Sequence, residues 1–374
     1  MTTSSPRRRR VAIIGTRGYP SFYGGFETAV RVLAPYLAER EWDVTVYGRP
    51  GAASAPPEFE SDARVTSRIT RGFETKSLST LSYGFTSTLD AVRHRPDVAL
   101  VMNVANGYWL PLLKARGIPT VVNVDGIEWE REKWGRLAKA VFHTGARATA
   151  RWGDSLVFDA HAIGDYWTKN FRRGGTFIPY GGDIPEDLPV PPGVESGRYV
   201  LVVARFVPEN TIGEFFDAVA SIAQRHPVVI IGSSGYGGPF DDRAKELAEH
   251  NAAVTWLGHV RNDDLLLALW QHCGVYFHGH SVGGTNPALV QAMACGAPVV
   301  ARDTVFNREV LSPDGAKFVE PRPTDIAQAV NSLLSDPAER ARLSAVVTAR
   351  AAELYSWGLV CSSYEAELDR IRRR

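Results

Sequence analysis

Apolar positions recur along this chain in two rhythms. The stretch RVAIIGTRGYP is a short run rich in β-branched residues that stops at Gly15. Behind it, GGFETAVRVLAPYLAER repeats its apolar positions every three to four residues. The first rhythm predicts a buried strand and the second an amphipathic helix. VTVYG, PDVALVMNV, PTVVNVDG, DSLVFDAHA and TFIPYGG repeat the strand pattern, with helical stretches such as LAKAVFHTGARATARWG between them. Short apolar runs alternating with helices predict parallel strands covered on both faces.

The pattern breaks at IPEDLPVPPGVESG, which is rich in proline and charge and has no period, and is read as a linker. A second series follows: YVLVVARF, PVVIIGSSG, AAVTWLGH, GVYFHGH, APVVARDT and AKFVEP as strands, with IGEFFDAVASIAQRH and NPALVQAMACG as connecting helices. The expectation is an α/β chain of two Rossmann-like, doubly wound parallel-sheet domains, 1–183 and 198–352, joined by a linker at 184–197. Strand C-terminal ends of such sheets carry ligands, so the predicted active site is a cleft faced by both. Residues 353–374 read as a final helix with an apolar side that must pack on something.

Composition narrows the class. The 374 residues are 44% hydrophobic and 22% charged, ordinary for globular domains. Cys273, Cys295 and Cys361 lack paired spacing, which argues against a disulfide framework or a zinc site and fits a reducing cytoplasm. No run reaches the roughly 20 apolar residues of a membrane span, and MTTSSPRRRR leads into a strand without a signal-peptide core. The chain is therefore expected to be neither exported nor membrane-spanning. Residues 1–183 hold 25 Lys and Arg against 18 Asp and Glu, and the remainder 17 against 23, leaving about +7 and −6. The basic half suits an anionic surface, while Arg7 to Arg10 read equally as a solvated tail.

Four stretches carry candidate chemistry, each with a plainer alternative. GTRGYPSFYGGFE departs from the dinucleotide fingerprint, which disfavours a nicotinamide enzyme. Its Gly24 and Gly25 at a helix start offer amides to a phosphate, or form a simple turn. In VARFVPENTIGEF, Arg205 and the helix start at Asn210 suit a diphosphate; alternatively Arg205 pairs with Glu209 and Asn210 only caps. In HGHSVGGTNPALVQAMACGAPVVARD, Gly283 and Gly284 allow close approach and Pro287 starts a helix whose N-terminus can grip a ligand. His278 and His280 there are read as hydrogen-bonding or structural rather than metal ligands. In VNVDGIEWEREKWG, Asp125 follows a buried strand toward the expected crevice, or caps a turn, whereas Glu128, Glu130 and Glu132 are expected to begin a charged helix. Trp109, Trp129 and Trp134 form a sugar platform or belong to the core.

These residues resemble glycosyltransferase family 4, the retaining enzymes of the GT-B fold, over essentially the whole chain, and within it a bacterial rhamnosyltransferase-like branch. IIGTRGYPSFYGGFE, RFVPENTI, HGHSVGGTNPALVQAMACGAPVVA and DTVFNREV carry the resemblance in the right order. It implies that Gly25 lies near the donor phosphates, that Arg205 contacts the diphosphate and that Asp125 touches the transferred sugar or assists acceptor activation. It also implies that the last helix crosses back to the N-terminal domain and that neither cofactor nor metal is needed, protein cations and helix dipoles offsetting the diphosphate charge. Two glutamates that flank donor sugar and ribose in the wider family are Gly283 and Gln291 here. The branch lacks the first; the second is an unusual change that weakens a ribose bond by about 1 kcal/mol. Asn210 stands where a lysine is common.

The expected donor-binding set is Gly24, Gly25, Arg205, Asn210, His280, Gly283, Gly284, Thr285, Asn286 and Gln291, with Asp125 and Arg205 as candidate catalytic groups. The expected reaction moves a sugar, foremost L-rhamnose from TDP-L-rhamnose, to a glycan or polyprenyl-linked glycan in cell-surface polysaccharide synthesis. The departing phosphate oxygen serves as base, because no side-chain base is evident. The expected location is cytoplasmic, peripheral on the inner face of the plasma membrane, with no nucleic acid partner. The competing expectation is a catalytically degenerate sugar-nucleotide-binding or scaffold protein, motivated by Gln291. A GT-B epimerase or phosphorylase fits the motif order less well. The acceptor loops expected between residues 50 and 90 show no recognisable code.

Overall fold

A computed structural model describes residues 7–21, 24–51, 61–74, 79–131, 134–235, 237–260 and 262–373. The chain divides into two compact units, Met1–Pro179 with Trp357–Arg374, and Tyr180–Ser356.

In the first unit the elements run β1 (Arg9–Ile14), α1 (Gly25–Glu39), β2 (Trp42–Gly48), β3 (Val65–Ile69), α2 (Ser79–His94), β4 (Val98–Met102), α3 (Leu110–Ala115), β5 (Thr120–Asn123), α4 (Arg136–Trp152), β6 (Ser155–Phe158), α5 (His161–Phe171) and β7 (Thr176–Phe177). The strands form one parallel sheet of order β3-β2-β1-β4-β5-β6-β7. Every residue of β4, β5 and β6 is buried, as expected of strands covered on both faces. Strand β3 and helix α2 occupy a region whose sequence suggests loops only. The edge strand exposes Thr66, Ser67 and Ile69 and buries Val65 alone, so it carries no apolar run. Arg9 and Arg10 belong to β1 and are tied down there, Arg9 to Asp369 at 2.7 Å and the Arg10 amide to Asp97 at 2.9 Å, so these two are not a free tail.

The second unit runs β8 (Val200–Val203), α6 (Ile212–Ile222), β9 (Val228–Ile231), α7 (Pro239–His250), β10 (Val254–Trp256), α8 (Asp263–His272), β11 (Val275–His278), α9 (Pro287–Ala294), β12 (Val299–Arg302), α10 (Val305–Leu311), β13 (Ala316–Val319), α11 (Pro323–Leu334) and α12 (Pro337–Leu354). Its parallel sheet has the order β10-β9-β8-β11-β12-β13. Alternation along the strands builds a core on each face. Val200, Val202 and Phe277 join Phe215, Phe216 and Ile326 on one side. Leu201 and Tyr276 join Leu289, Met293 and Val347 on the other.

The last helix, α13 (Trp357–Arg372), belongs to the first unit. Trp357, Val360, Cys361, Tyr364, Leu368 and Ile371 form its buried stripe at helical spacing. Its polar side is anchored as well: the Trp42 indole donates to Glu365 at 3.0 Å, and Ser155 and Arg370 bond the buried Glu367. Among the described residues no helix is long and apolar enough to cross a membrane. Cys273, Cys295 and Cys361 are buried and form no disulfide among the described residues, and burial pushes the Cys295 thiol up to about 11.

Candidate functional site

In each sheet the strand order reverses once, between β1 and β4 and between β8 and β11. Connections leave in opposite directions at such a point, and the gap at the strand C-terminal ends is where ligands of open α/β sheets bind.

In the second unit this gap is lined by the segments 204–211 and 279–286. Side-chain bonds to backbone lock them together. Thr211, fully buried with φ of 56°, donates from Oγ1 to the Gly279 carbonyl at 2.6 Å and accepts from Arg302 at 3.0 Å. Ser281 donates from N and Oγ to the Glu209 carbonyl at 3.0 and 2.8 Å. The buried Asn307 amide donates to the carbonyls of His280 and Arg302, both at 2.9 Å. Gly279 is needed for this closeness, because a Cβ there would lie 2.3 Å from the Asn210 carbonyl.

Upon this scaffold Arg205 is exposed and makes no ion pair among the described residues, Glu209 included. Glu209 Oε1 is buried without a hydrogen-bond partner there, an acceptor suited to a hydroxyl. Asn210 does not start the helix. It closes a single 3-10 turn, Pro208–Asn210, and its amide donates back to the Arg205 carbonyl at 2.9 Å, because the left-handed Thr211 intervenes before α6 begins. Asn210 thereby shapes the loop that presents Arg205.

The α9 end of the gap is preformed. Asn286 caps the helix, accepting from the amides of Ala288 and Leu289 at 3.0 and 3.4 Å, and Pro287 follows at its first position. Gly283 has a φ of 103°, Gly284 adjoins it, and Thr285 is buried beside them. His280 stacks on His278 with centroids 4.5 Å apart. Burial, followed by the neighbouring His280, holds His278 well below the usual imidazole range, so it is a neutral structural group bonded to the Tyr276 hydroxyl. Gln291 spends both ends of its amide on one peptide: Oε1 accepts from Asp183 N at 3.0 Å and Nε2 donates to Asp183 O at 2.7 Å.

The first unit is built differently. Gly15, with φ of 94°, packs so closely that a Cβ would meet the Met102 carbonyl at 2.2 Å. Helix α1 begins at Gly25 with Gly24 before it, but the buried carboxylate of Glu27 folds back over that start. Its Oε1 accepts from Arg17 N at 3.2 Å, and Oε2 lies 3.2 Å from the place of a Cβ on Gly24. The Glu27 carboxylate thus lies beside Gly24 at the helix start. Arg49 stands near, its pKa lowered by burial and next by Arg17.

Asp125 is half-buried just past β5 with φ of 58°, a left-handed conformation costly for a residue with a Cβ. Its amide donates to Asn123 Oδ1 at 2.9 Å, and the Asn123 amide donates to the Tyr364 hydroxyl at 2.6 Å, linking it to α13. Glu128 and Glu130 do not begin a charged helix. They form a 3-10 turn, with Glu128 buried against Arg131 at 2.7 Å and Trp134 at 2.9 Å, and α4 starts only at Arg136. Glu132 lies outside the described residues. The three tryptophans form no common platform: Trp129 joins Tyr166, Trp167 and Phe171, Trp134 meets Phe142, and Trp109 meets Phe85.

Sequence reasoning missed Thr211, Arg302 and Asn307, which tie the second unit's loops, and Glu27. A glutamate two residues into a Gly-Gly helix start is the one available signal among them, since acids favour the first turn. Among the described residues no group of three or more His, Cys, Asp and Glu side chains is placed to hold a metal ion.

Comparison with known proteins fits this geometry. The model described as "Glycosyl transferase 4-like domain" matches residues 24–181, and "Glycosyl transferases group 1" matches 183–348. This chain belongs to the GT-B glycosyltransferases of family 4. It is 29% identical over 208 residues to an MMP alpha-(1->4)-mannosyltransferase of Mycolicibacterium hassiacum, covering 50% of each chain. It is 31% identical over 196 residues to a phosphatidyl-myo-inositol mannosyltransferase of Mycolicibacterium smegmatis, covering 49% of this chain and 48% of the relative. The chain thus spans about half the length of these two relatives. Among solved structures, sucrose-phosphate synthase of Thermosynechococcus elongatus superimposes with a TM-score of 0.80 at 18% identity, covering 97% of this chain and 99% of that one. Anabaena HepE in complex with UDP-glucose gives 0.73 at 16%, covering 97% and 100%. These two likenesses establish the GT-B fold of this glycosyltransferase chain.

Proposed function

We propose that the chain transfers a hexose or deoxyhexose from a nucleoside diphosphate sugar, foremost L-rhamnose from TDP-L-rhamnose, to a glycan or polyprenyl-linked glycan. The observation that carries the reading is the exposed, unpaired Arg205 held at the second unit's switch point beside the preformed N-terminus of α9. A guanidinium and helix amides together suit a diphosphate. In this reading the bond from the sugar's anomeric carbon to the diphosphate breaks, and Arg205 and the amides of Gly284, Thr285 and Asn286 take up the developing negative charge. The acceptor hydroxyl forms the new bond on the same face and passes its proton to the departing phosphate oxygen. Asp125 serves the acceptor side. Its strained backbone is the kind that persists where function requires it.

Contact with an anionic membrane surface is part of the proposal. Helix α4 carries Arg136, Lys139, Arg147 and Arg151 without one acidic residue, and its Leu137 is 81% exposed. Basic residues around an exposed apolar one suit the headgroup region of a bilayer.

One observation bears on a second reading, a degenerate sugar-nucleotide-binding protein. Gln291 is engaged with Asp183, so a ribose contact would require it to leave that peptide. The test is nucleoside diphosphate release from TDP-rhamnose, UDP-glucose, UDP-N-acetylglucosamine and GDP-mannose with membrane-extract acceptors, for native protein and Gln291→Glu. Selective native turnover supports the transferase and names its donor. Binding without turnover, rescued by Gln291→Glu, would replace it with the degenerate reading.

A further inference from the structure

At the end of the first sheet opposite its switch-point loops, the starts of β1, β4 and β5 surround a hollow of about 940 Å³. Seven of its lining side chains are cationic (Arg7, Arg9, Arg10, Arg95, Lys114, Arg116 and Arg372) and two are acidic, Asp97 and Asp154. The two acids each pair with a lining cation, Asp97 with Arg7 at 3.1 Å and Asp154 with Lys114 at 3.2 Å, and both also serve the fold. Asp97 accepts from the Arg10 amide at 2.9 Å, and Asp154 accepts from the Thr120 amide and hydroxyl at 3.0 and 3.2 Å, fastening the strand starts. Asp369 and Glu365 of α13 neutralise Arg9, and Asp369 also meets Arg372 at 3.0 Å. Arg95 and Arg116, both exposed, make no ion pair among the described residues, and the guanidinium of Arg10 is turned to the carbonyls of His94 and Arg95. Even with Asp369 and Glu365 included, cations remain in clear excess.

Like charges gathered in a concavity repel one another and raise the local concentration of counter-ions. Guanidinium groups present paired N–H donors that match phosphate oxygens. We infer that this hollow binds a multiply charged phosphate group, at a site separate from the sugar-donor site. A phosphate can come from a free compound or from a lipid headgroup, and the chemistry of recognition is the same.

The test uses the whole 374-residue chain carrying Arg205→Ala, so that the proposed donor site contributes little, and follows tripolyphosphate binding by calorimetry at low ionic strength. Arg95→Glu with Arg116→Glu is added, together with Arg95→Lys and Arg116→Lys as the charge-preserving control. Both arginine side chains are exposed, and unchanged melting checks that the fold survives. The expected result is binding that persists in Arg205→Ala, weakens at least tenfold on charge reversal, survives the lysine exchange and declines steeply with added salt. Sedimentation with phosphatidylcholine vesicles, with and without phosphatidylglycerol, separates the sources. Vesicle binding lost on the same charge reversal assigns a headgroup, and tripolyphosphate binding without it assigns a free phosphate compound. Binding abolished by Arg205→Ala, binding indifferent to charge reversal, or no binding of either probe would overturn the inference.

Discussion

The two switch points employ their polar groups differently. In the second unit nearly every polar side chain around the gap is bonded to backbone: Thr211 to Gly279, Asn307 to His280 and Arg302, Ser281 to Glu209 and Asn210 to Arg205. The guanidinium of Arg205 is left over. In the first unit the Glu27 carboxylate of α1 meets Arg17 of the corresponding loop, with Arg49 from just past β2 near them, and the reactive candidate Asp125 stands on a strained backbone linked to α13 through Asn123 and Tyr364. A hydrogen-bonded frame that leaves the Arg205 guanidinium without an ion pair among the described residues suits a constant ligand, the diphosphate. A loop whose Arg17 already meets a carboxylate, in the same unit as a strained acid, suits the variable partner, the acceptor. The difference teaches that fold symmetry between the units does not extend to charge.

The largest expected effect is from Arg205→Ala, which should lower turnover roughly a hundredfold or more, about 3 kcal/mol of barrier, with Arg205→Lys retaining part of it. Steady-state release of nucleoside diphosphate reads this, and a change below threefold would break the contrast between the units. On the other side, Asp125→Asn should keep the melting temperature, because asparagine tolerates the left-handed backbone, while turnover falls at least tenfold. Loss of stability with intact turnover would make Asp125 structural.

Thr211→Val tests the frame itself. It preserves shape but strips the Gly279 carbonyl and Arg302 of their partner, and should destabilise the chain by about 1–3 kcal/mol in urea unfolding. His278 gives a smaller effect with a definite sign. The folded imidazole stays neutral, whereas the unfolded one gains a proton below about 6.5, so acid favours unfolding. Stability contributed by this group should fall as pH is lowered from 7 to 5, by at most about 1.4 kcal/mol per pH unit, and His278→Phe should flatten that window. The smallest change is expected of Gln291→Glu. It loses the donor to Asp183 O and should cost about 1 kcal/mol in stability without raising turnover. A gain in activity would favour the degenerate reading.

Much of the fold was legible because β8 and β9 are runs of Val, Ile and Leu, and β1, β4, β6, β11 and β12 likewise carry their burial in mostly apolar residues. Strand β3 was not, since Thr66, Ser67 and Arg68 serve an edge whose surroundings are solvent. Arg205 was legible as a cation following a buried strand. What the residues around it do was not. Asn210 reads as a helix cap until Thr211 is seen in a left-handed turn, and Gln291 reads as a ribose contact although its partner lies 108 positions away. Bonds from side chain to distant backbone depend on how loops approach one another, and no local spacing encodes that. The charged turn at Glu128 was misread for the same reason, its burial being set by Trp134 and Arg131 folding over it.

The most direct test of the central claim, that the second unit holds the donor diphosphate, is calorimetric affinity for TDP, UDP and GDP in native protein, Arg205→Ala and Arg49→Ala. The account predicts that the preferred nucleotide binds at least tenfold more weakly to Arg205→Ala and within about twofold of native to Arg49→Ala. Affinity that depends on Arg49 and ignores Arg205 would contradict it.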